Sequence, residues 1–249
     1  MSTSPSHRVR GLSHLRLKII ATVLFAFSLL SGVIINSGIN IQSSSATDMT
    51  NLTTAVLFEA ISWTAIPLYA WLLVEGYKHT HNRWLYGIRL FILALVCELP
   101  YDKVTTGHWV DWNSQNPVFA MVIALAALAL IDYYAAEGSR MRWLVITIIA
   151  LFGLLWMIIG HIGVRQRIMQ SGILLFLLVL IFHLLDKREN TMMMTAAILG
   201  ACFFITPALG VAVLHYHNDT LGYDAHKSPW IQWAFYAFYP LLLLVSTII

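Results

Sequence analysis

Residues 52–80 read LTTAVLFEAISWTAIPLYAWLLVEGYKHT, and this stretch decides what kind of protein the chain makes. Leu52 to Val74 is apolar apart from Glu59 and a few small hydroxyl residues, and it carries Pro67. A bilayer core about 30 Å thick is crossed by roughly 20 apolar residues in a helix, which bonds every backbone amide internally. This run is long enough to do so.

Comparable runs recur at Leu17–Ser37, Trp84–Leu99, Pro117–Tyr134, Trp143–Gly160, Ile168–Leu185, Met192–His215 and Trp230–Ile249. Across 249 residues, 59% are hydrophobic and 11% charged, whereas a soluble domain is about 25% charged. A chain this apolar cannot cover a water-facing surface, so lipid must be a principal partner. The expected fold class is all-α, a polytopic transmembrane helical bundle of about eight spans. Residues 15–249 form the single membrane domain. Residues 1–14 read as a Ser-rich, basic, disordered tail, with the first helix retained rather than cleaved.

Basic residues set the orientation. With the N-terminus in the cytoplasm, that side holds Arg8, Arg10, Arg16, Lys18, Lys78, Arg83, Arg140, Arg142, Lys187 and Arg188. The other side holds only Lys103, Arg165, Arg167 and Lys227, which predicts both termini inside. Trp84, Trp109, Trp112, Trp143 and Trp230 sit beside helix ends, where amphipathic rings favour the headgroup layer. A net charge of +3 without a long basic run argues against nucleic acid as a partner. Cys97 and Cys202 lie inside apolar runs and read as small hydrophobes.

Ionisable residues at membrane depth are costly and point to function. Glu59, Glu75, Arg89 and Glu98 stand out. Glu59 shares a helical face with Ser62, Trp63 and Ile66, and Pro67 is expected to kink that helix. Glu75 and Arg89 flank a short inner loop, so a pair there would pin a helical hairpin. The outer sequence Glu98-Leu99-Pro100-Tyr101-Asp102 places Pro100 where it should stop the helix between two carboxylates. Gln115-Asn116-Pro117 is a helix start. These outer groups could line a substrate cleft or simply end two helices.

Histidines His215, His217 and His226 share the last loop with Asp219 and Asp224, on the same expected side as His108 and His161. Their spacing matches no zinc pattern, so no metal is assigned and solvated loop residues are the plainer reading. There is no phosphate-binding glycine loop, no Gly-x-Ser-x-Gly elbow and no His-Glu-x-x-His helix. Facing histidine pairs that would hold a haem are missing as well.

The order Ile66-Pro67-Leu68-Tyr69, Glu75-Gly76-Tyr77-Lys78-His79-Thr80, Arg89-Leu90, Glu98-Leu99-Pro100-Tyr101-Asp102 and Gln115-Asn116 resembles the TraX family of bacterial membrane proteins. Leu17-Lys18-Ile19-Ile20-Ala21 is similar to the family's opening, and Trp233–Leu241 to its closing helix. The resemblance implies an acyltransferase-type scaffold in the bacterial inner membrane. It would take acetyl-CoA as co-substrate and an amine or hydroxyl acceptor, with a histidine on an early helix as base or acyl carrier. Three positions depart from the family pattern. Ser28 and Leu29 stand where an Asp-His pair is usual, Ser62 and Trp63 replace a Gly-Arg, and Leu242 replaces a histidine.

Whether the chain is an enzyme is therefore open at this level. One reading keeps acetyl transfer, with His79 as base, Glu75 orienting it, and Glu98, Asp102, Gln115 and Asn116 shaping the acceptor side. A second is a catalytically degenerate accessory or assembly subunit of a larger membrane protein complex, presenting helix faces as interfaces. A third, a small-molecule or ion transporter, draws on the embedded charges but lacks recognisable broken-helix repeats.

Overall fold

The computed structural model describes residues 11–36, 45–135, 140–165, 169–218, 220–224, 227–228 and 230–248. Among them run α1 (His14–Asn36), α2 (Ala46–Ser62), α3 (Ala65–His79), α4 (Arg83–Thr106), α5 (Pro117–Tyr134) and α6 (Arg142–Ile159). A two-residue hairpin, β1 (Val164–Arg165) with β2 (Met169–Gln170), precedes α7 (Ser171–Leu184). Helices α8 (Glu189–Phe203), α9 (Ile205–Leu214) and α10 (Trp230–Ile248) follow. The fold is the all-α membrane bundle that the apolar runs predict. His14–Ile35, Ala46–His79, Arg83–Thr106, Pro117–Tyr134 and Arg142–Ile159 are each long and apolar enough to cross a bilayer.

Pro67 shapes the second span. Lacking an N–H, it cannot donate to the Trp63 carbonyl, and the Ile66 N–H takes that oxygen instead at 3.2 Å. The turn tightens at Trp63 and Thr64, and α2 passes into α3 without leaving helical dihedrals. Pro100 behaves otherwise than the sequence suggests. It lies inside α4, which continues to Thr106 and ends at Gly107 in the left-handed conformation, φ 78°. A membrane helix tolerates an interior proline where neighbouring groups re-satisfy the backbone.

Helix α7 is the centre of the bundle. Leu174, Phe176, Leu178 and Val179 are fully buried there, against Leu128 of α5 and Leu73 of α3 within one core cluster. Helix α6 lies outside, its Ile148, Leu151, Phe152, Leu155 and Trp156 exposed to lipid. Gly153 lets it approach the core, since a Cβ there would come 2.4 Å from the Phe176 ring.

The segment 189–214 takes a path that hydropathy does not show. Pro207 cannot continue the α8 ladder, and the chain opens at Phe204, whose φ and ψ are −163° and 157°. It then doubles back. A Cβ at Gly200 would lie 3.0 Å from the Ala208 nitrogen, so α9 packs antiparallel on α8. Phe204 sits at the tip, 4.3 Å from the Trp63 ring. Gly210 then abuts Thr64 and Pro67, and His217 reaches Trp71, so α9 descends alongside α3. Beyond it, Leu12 pairs with His217, and Leu15 N–H donates to the Leu221 carbonyl.

The run Met192–His215 is thus a re-entrant hairpin that enters and leaves on the N-terminal side. Two expectations are corrected by this. The loop after α9 lies on the N-terminal face, away from His108 and His161. Helix α10 runs the same way as α1 and α4, and its end lies on the face opposite the N-terminus. Lys18 and Arg89 meet Phe235 and Trp233 at one end, and Leu29, Tyr101 and Leu243 share a cluster at the other. The path sharpens the charge asymmetry, because Lys227 joins the basic face. Of the expected tail, residues 1–10 lie outside the described residues, and Leu12 to Leu15 are held by backbone hydrogen bonds.

Cysteine-scanning accessibility in intact cells tests this path. In a C97A/C202A background, Thr220→Cys should label from the same side as Arg188→Cys, and Thr247→Cys from the opposite side. Labelling of Thr220→Cys from the side of Thr247→Cys would make α8–α9 a full crossing.

Candidate functional site

Polar side chains gather at three depths. At the N-terminal face, Glu75 sits a turn from the end of α3 and is mostly buried. Its Oε1 accepts from Lys78 Nζ at 2.9 Å, and Lys78 also reaches Asp186 beyond α7. His79 Nδ1 stands 2.9 Å from the Glu75 carbonyl oxygen and 3.5 Å from Oε2. A carbonyl can only accept, so a hydrogen bond there takes the hydrogen on Nδ1, and in the neutral ring Nε2 is the acceptor. The His79 side chain is 73% exposed.

The expected Glu75–Arg89 pair does not form. Arg89 lies two turns into α4 on the face toward α10, its guanidinium 4.8 Å above the Trp233 ring. Arg83, at the start of α4, is the cation that joins the inner cluster. It bonds Asp132 Oδ2 at 3.1 Å and covers the Tyr77 ring at 4.3 Å. Asp132 also accepts from Tyr77 Oη at 2.8 Å, and His183 Nε2 lies 2.9 Å from its other oxygen. The inner cluster thus ties together α3, α4, α5 and α7.

Asp132 and His183 escaped the sequence reading. Each is the lone ionisable residue near the inner end of an otherwise apolar run, Pro117–Tyr134 or Ile168–Leu185. That placement was the available signal. Nothing in the spacing says that both face Tyr77.

At mid-depth, Glu59 is 4% exposed. Ser28 Oγ donates to its Oε2 at 3.2 Å, and Trp63 Nε1 donates to its Oε1 at 3.0 Å. The site adjoins the tightened turn and the hairpin tip at Phe204. Interrupted helices near an embedded carboxylate are a transporter feature, one the apolar runs had concealed.

At the far face, Glu98 and Asp102 lie one turn apart on α4. Glu98 Oε2 accepts from the Asn116 backbone at 3.1 Å and from its Nδ2 at 2.7 Å. Asn116, fully buried, also donates to the Ala94 carbonyl and caps α5 by accepting from Val118 N–H. Asp102 Oδ2 accepts from Asp111 N–H at 2.9 Å. Gln115 pairs through its backbone with His161 and Gly163. These residues come together, and their bonds start α5 and fasten two loops, while Glu98 Oε1 and Asp102 Oδ1 are buried without a hydrogen-bond partner among the described residues.

The positions that depart from the family pattern also converge. Ser28 faces Glu59 beside Trp63. Leu29 joins Cys97, Tyr101, Val104 and Leu243 in a small apolar cluster, with Leu242 packed against it. Of the loop histidines, His217 rests on Trp71 and His215 on Tyr216, while His226 and Asp219 lie outside the described residues. Among the described residues no three His, Cys, Asp or Glu side chains gather as a metal site.

A bundle of apolar helices with embedded carboxylates and one basic face defines a polytopic α-helical membrane protein. The family model described as TraX protein matches residues 13–249, and the chain belongs to the TraX family. No curated protein and no solved structure matches it.

Because Asn116 serves Glu98, Ala94 and Val118 at once, Asn116→Ala should lower stability by about 1–3 kcal/mol, leaving buried partners unsatisfied. His79→Ala, at an exposed position, should change it by less than about 0.5 kcal/mol. Thermal unfolding in detergent separates the two.

Proposed function

We propose that this TraX-family protein is a membrane acyltransferase acting at the cytoplasmic edge of the bacterial inner membrane. It would move an acetyl group from acetyl-CoA to an amine or hydroxyl acceptor. The observation carrying this reading is the exposed His79 side chain, whose Nδ1 lies 2.9 Å from the Glu75 carbonyl, so that in the neutral ring Nε2 is left to accept a proton on the face where a soluble donor would arrive.

The chemistry needs little else. As the acceptor attacks the thioester carbonyl, Nε2 takes its proton, and the carbon–sulfur bond breaks. The proton then passes to the departing CoA thiolate, so the ring returns to its starting state. Glu75 holds the imidazole through its backbone oxygen, and its Oε2 stands 3.5 Å from the same ring nitrogen. Lys78 and Arg83 offer positive charge beside the site for the donor's phosphates. His183 takes no part in this step, because Asp132 holds its Nε2 and its Nδ1 is buried. Glu59 lies too deep for this step, and Arg89, Glu98, Asp102, Gln115 and Asn116 support the helices that frame it.

A specific observation favours a second reading, a catalytically silent accessory subunit of a larger complex. The family's histidine positions, Leu29 and Leu242, meet in a closed apolar cluster rather than a cleft.

Purified protein incubated with labelled acetyl-CoA and a panel of small amines and alcohols tests the first reading. Transfer should fall about 100-fold or more in His79→Ala, the scale of a general base. Glu75→Gln, which keeps the backbone acceptor, should cost less. Transfer untouched by His79→Ala removes the proposed base. Absence of transfer with co-purification at fixed stoichiometry selects the accessory reading.

A further inference from the structure

At the far end of α4 two carboxylate oxygens, Glu98 Oε1 and Asp102 Oδ1, are buried with no hydrogen-bond partner among the described residues. The two side chains stand one turn apart and share a helical face. Each gives its other oxygen to the same stretch of the α4–α5 loop. Glu98 Oε2 accepts from the backbone N–H and Nδ2 of Asn116, and Asp102 Oδ2 accepts from the Asp111 N–H. Asp102 as a whole is 2% exposed.

The surroundings supply no countercharge. Lys103, the adjacent residue on α4, donates instead to the Gly107 carbonyl at 2.8 Å and lies over the Trp109 ring. Asp111 brings a further carboxylate, whose Oδ1 accepts from the Asn113 N–H at 3.0 Å. From α5 comes the neutral cap Asn116. Helices α1 and α10 bring Leu29, Tyr239 and Leu243, which pack with Cys97 and Tyr101 of α4. His108 and His161 are exposed, and the Arg165 side chain lies outside the described residues.

A carboxylate taken out of water without a partner is costly, and two of them side by side repel, so such a pair takes up a proton. The proton turns one orphaned acceptor into a donor and cancels one of the two charges. N–H donors favour the ionised form. Glu98 accepts two of them, whereas Asp102 accepts one and has Asp111 beside it. We propose that Glu98 and Asp102 share one proton at neutral pH, held mainly on Asp102, and that this proton lets the α4–α5 loop close over them. In alkaline medium it leaves to hydroxide, giving water and two buried carboxylates that repel, and the loop loosens. The pair is separate from the site proposed for acyl transfer, and its test needs no turnover.

Infrared difference spectra of the full-length protein in detergent read the proton directly. Wild type should show the carbonyl stretch of a protonated carboxyl at neutral pH, lost on alkalinisation, and Asp102→Asn should lack it. Asparagine has the shape of the protonated acid and keeps an acceptor for the Asp111 N–H, so Asp102→Asn should melt at or above the wild-type temperature. The folded pair binds more protons than the unfolded chain, so stability falls as pH rises. Between about pH 6 and about pH 9, wild type should lose about 3 °C or more of melting temperature relative to Asp102→Asn. Glu98→Gln, which also keeps its acceptor, should flatten the same pH dependence. Absence of the carboxyl band from wild type, or a band untouched by both substitutions, would overturn the proposal. So would a calcium-dependent rise in melting temperature that Asp102→Asn abolishes, since a metal ion would then neutralise the pair.

Discussion

Of the prolines in membrane-embedded helices, Pro67 and Pro207 set the path of the chain, and the fold follows from where the backbone hydrogen bonds they remove are made good. At Pro67 the freed Trp63 carbonyl is taken by Ile66, so the helix tightens and continues. At Pro207 the helix ends, and the chain reverses at Phe204. The two interruptions touch through the Trp63 and Phe204 rings, and Gly210 lets α9 lie directly on the turn at Thr64. A side chain larger than hydrogen at 210 would strike the Thr64 carbonyl, 2.2 Å from an ideal Cβ. Because no water is available in a bilayer core, each interruption needs protein around it. Docking α9 against α3 supplies that cover, and it fixes the side on which the following loop and α10 begin.

The class of the fold was legible in the sequence because lipid imposes one demanding rule, long apolar helices, and the chain obeys it. Inner and outer polar ends were legible too: Glu75 with His79, and Glu98 with Asn116, are neighbours within a helix or across one loop. The hairpin was not legible. A run of 24 residues from Met192 to His215 satisfies the length rule whether it crosses or turns back, and hydropathy is blind to the difference. Pro207 was present as a signal, but Pro67 and Pro100 are interior prolines that do not reverse their helices. What separates them is packing, since Gly200 and Gly210 flank Pro207 and let α8, α9 and α3 come close there. Likewise, Asp132 and His183 meet because α5 and α7 both pack on α3, which no local pattern encodes.

The polar clusters differ in what their bonds leave over. At the far face, Asn116 and Glu98 Oε2 hold the start of α5, while Glu98 Oε1 and Asp102 Oδ1 are buried without a hydrogen-bond partner among the described residues, and at mid-depth Glu59 is enclosed by Ser28 and Trp63. Only the inner cluster leaves an exposed, basic nitrogen, on His79, beside cations whose partners also lie at the membrane edge. Coulomb interactions there are screened by water and salt. An anion from solution can therefore compete for Lys78 and Arg83 in a way it could not for a buried pair.

The departures from the family pattern make physical sense as a group. A histidine at 29 or 242 would place an imidazole in the cluster of Cys97, Tyr101, Val104 and Leu243, where each polar nitrogen needs a partner. A lone buried polar group costs about 1–3 kcal/mol, so losing one member of such a set favours losing the other. Leucine at both positions closes the space with apolar contacts instead. Beside them Ser28 is short and neutral, and it donates to Glu59, whereas a carboxylate at that position would set two negative charges together in a low-dielectric site. With leucine at both positions, this region is a packed apolar cluster.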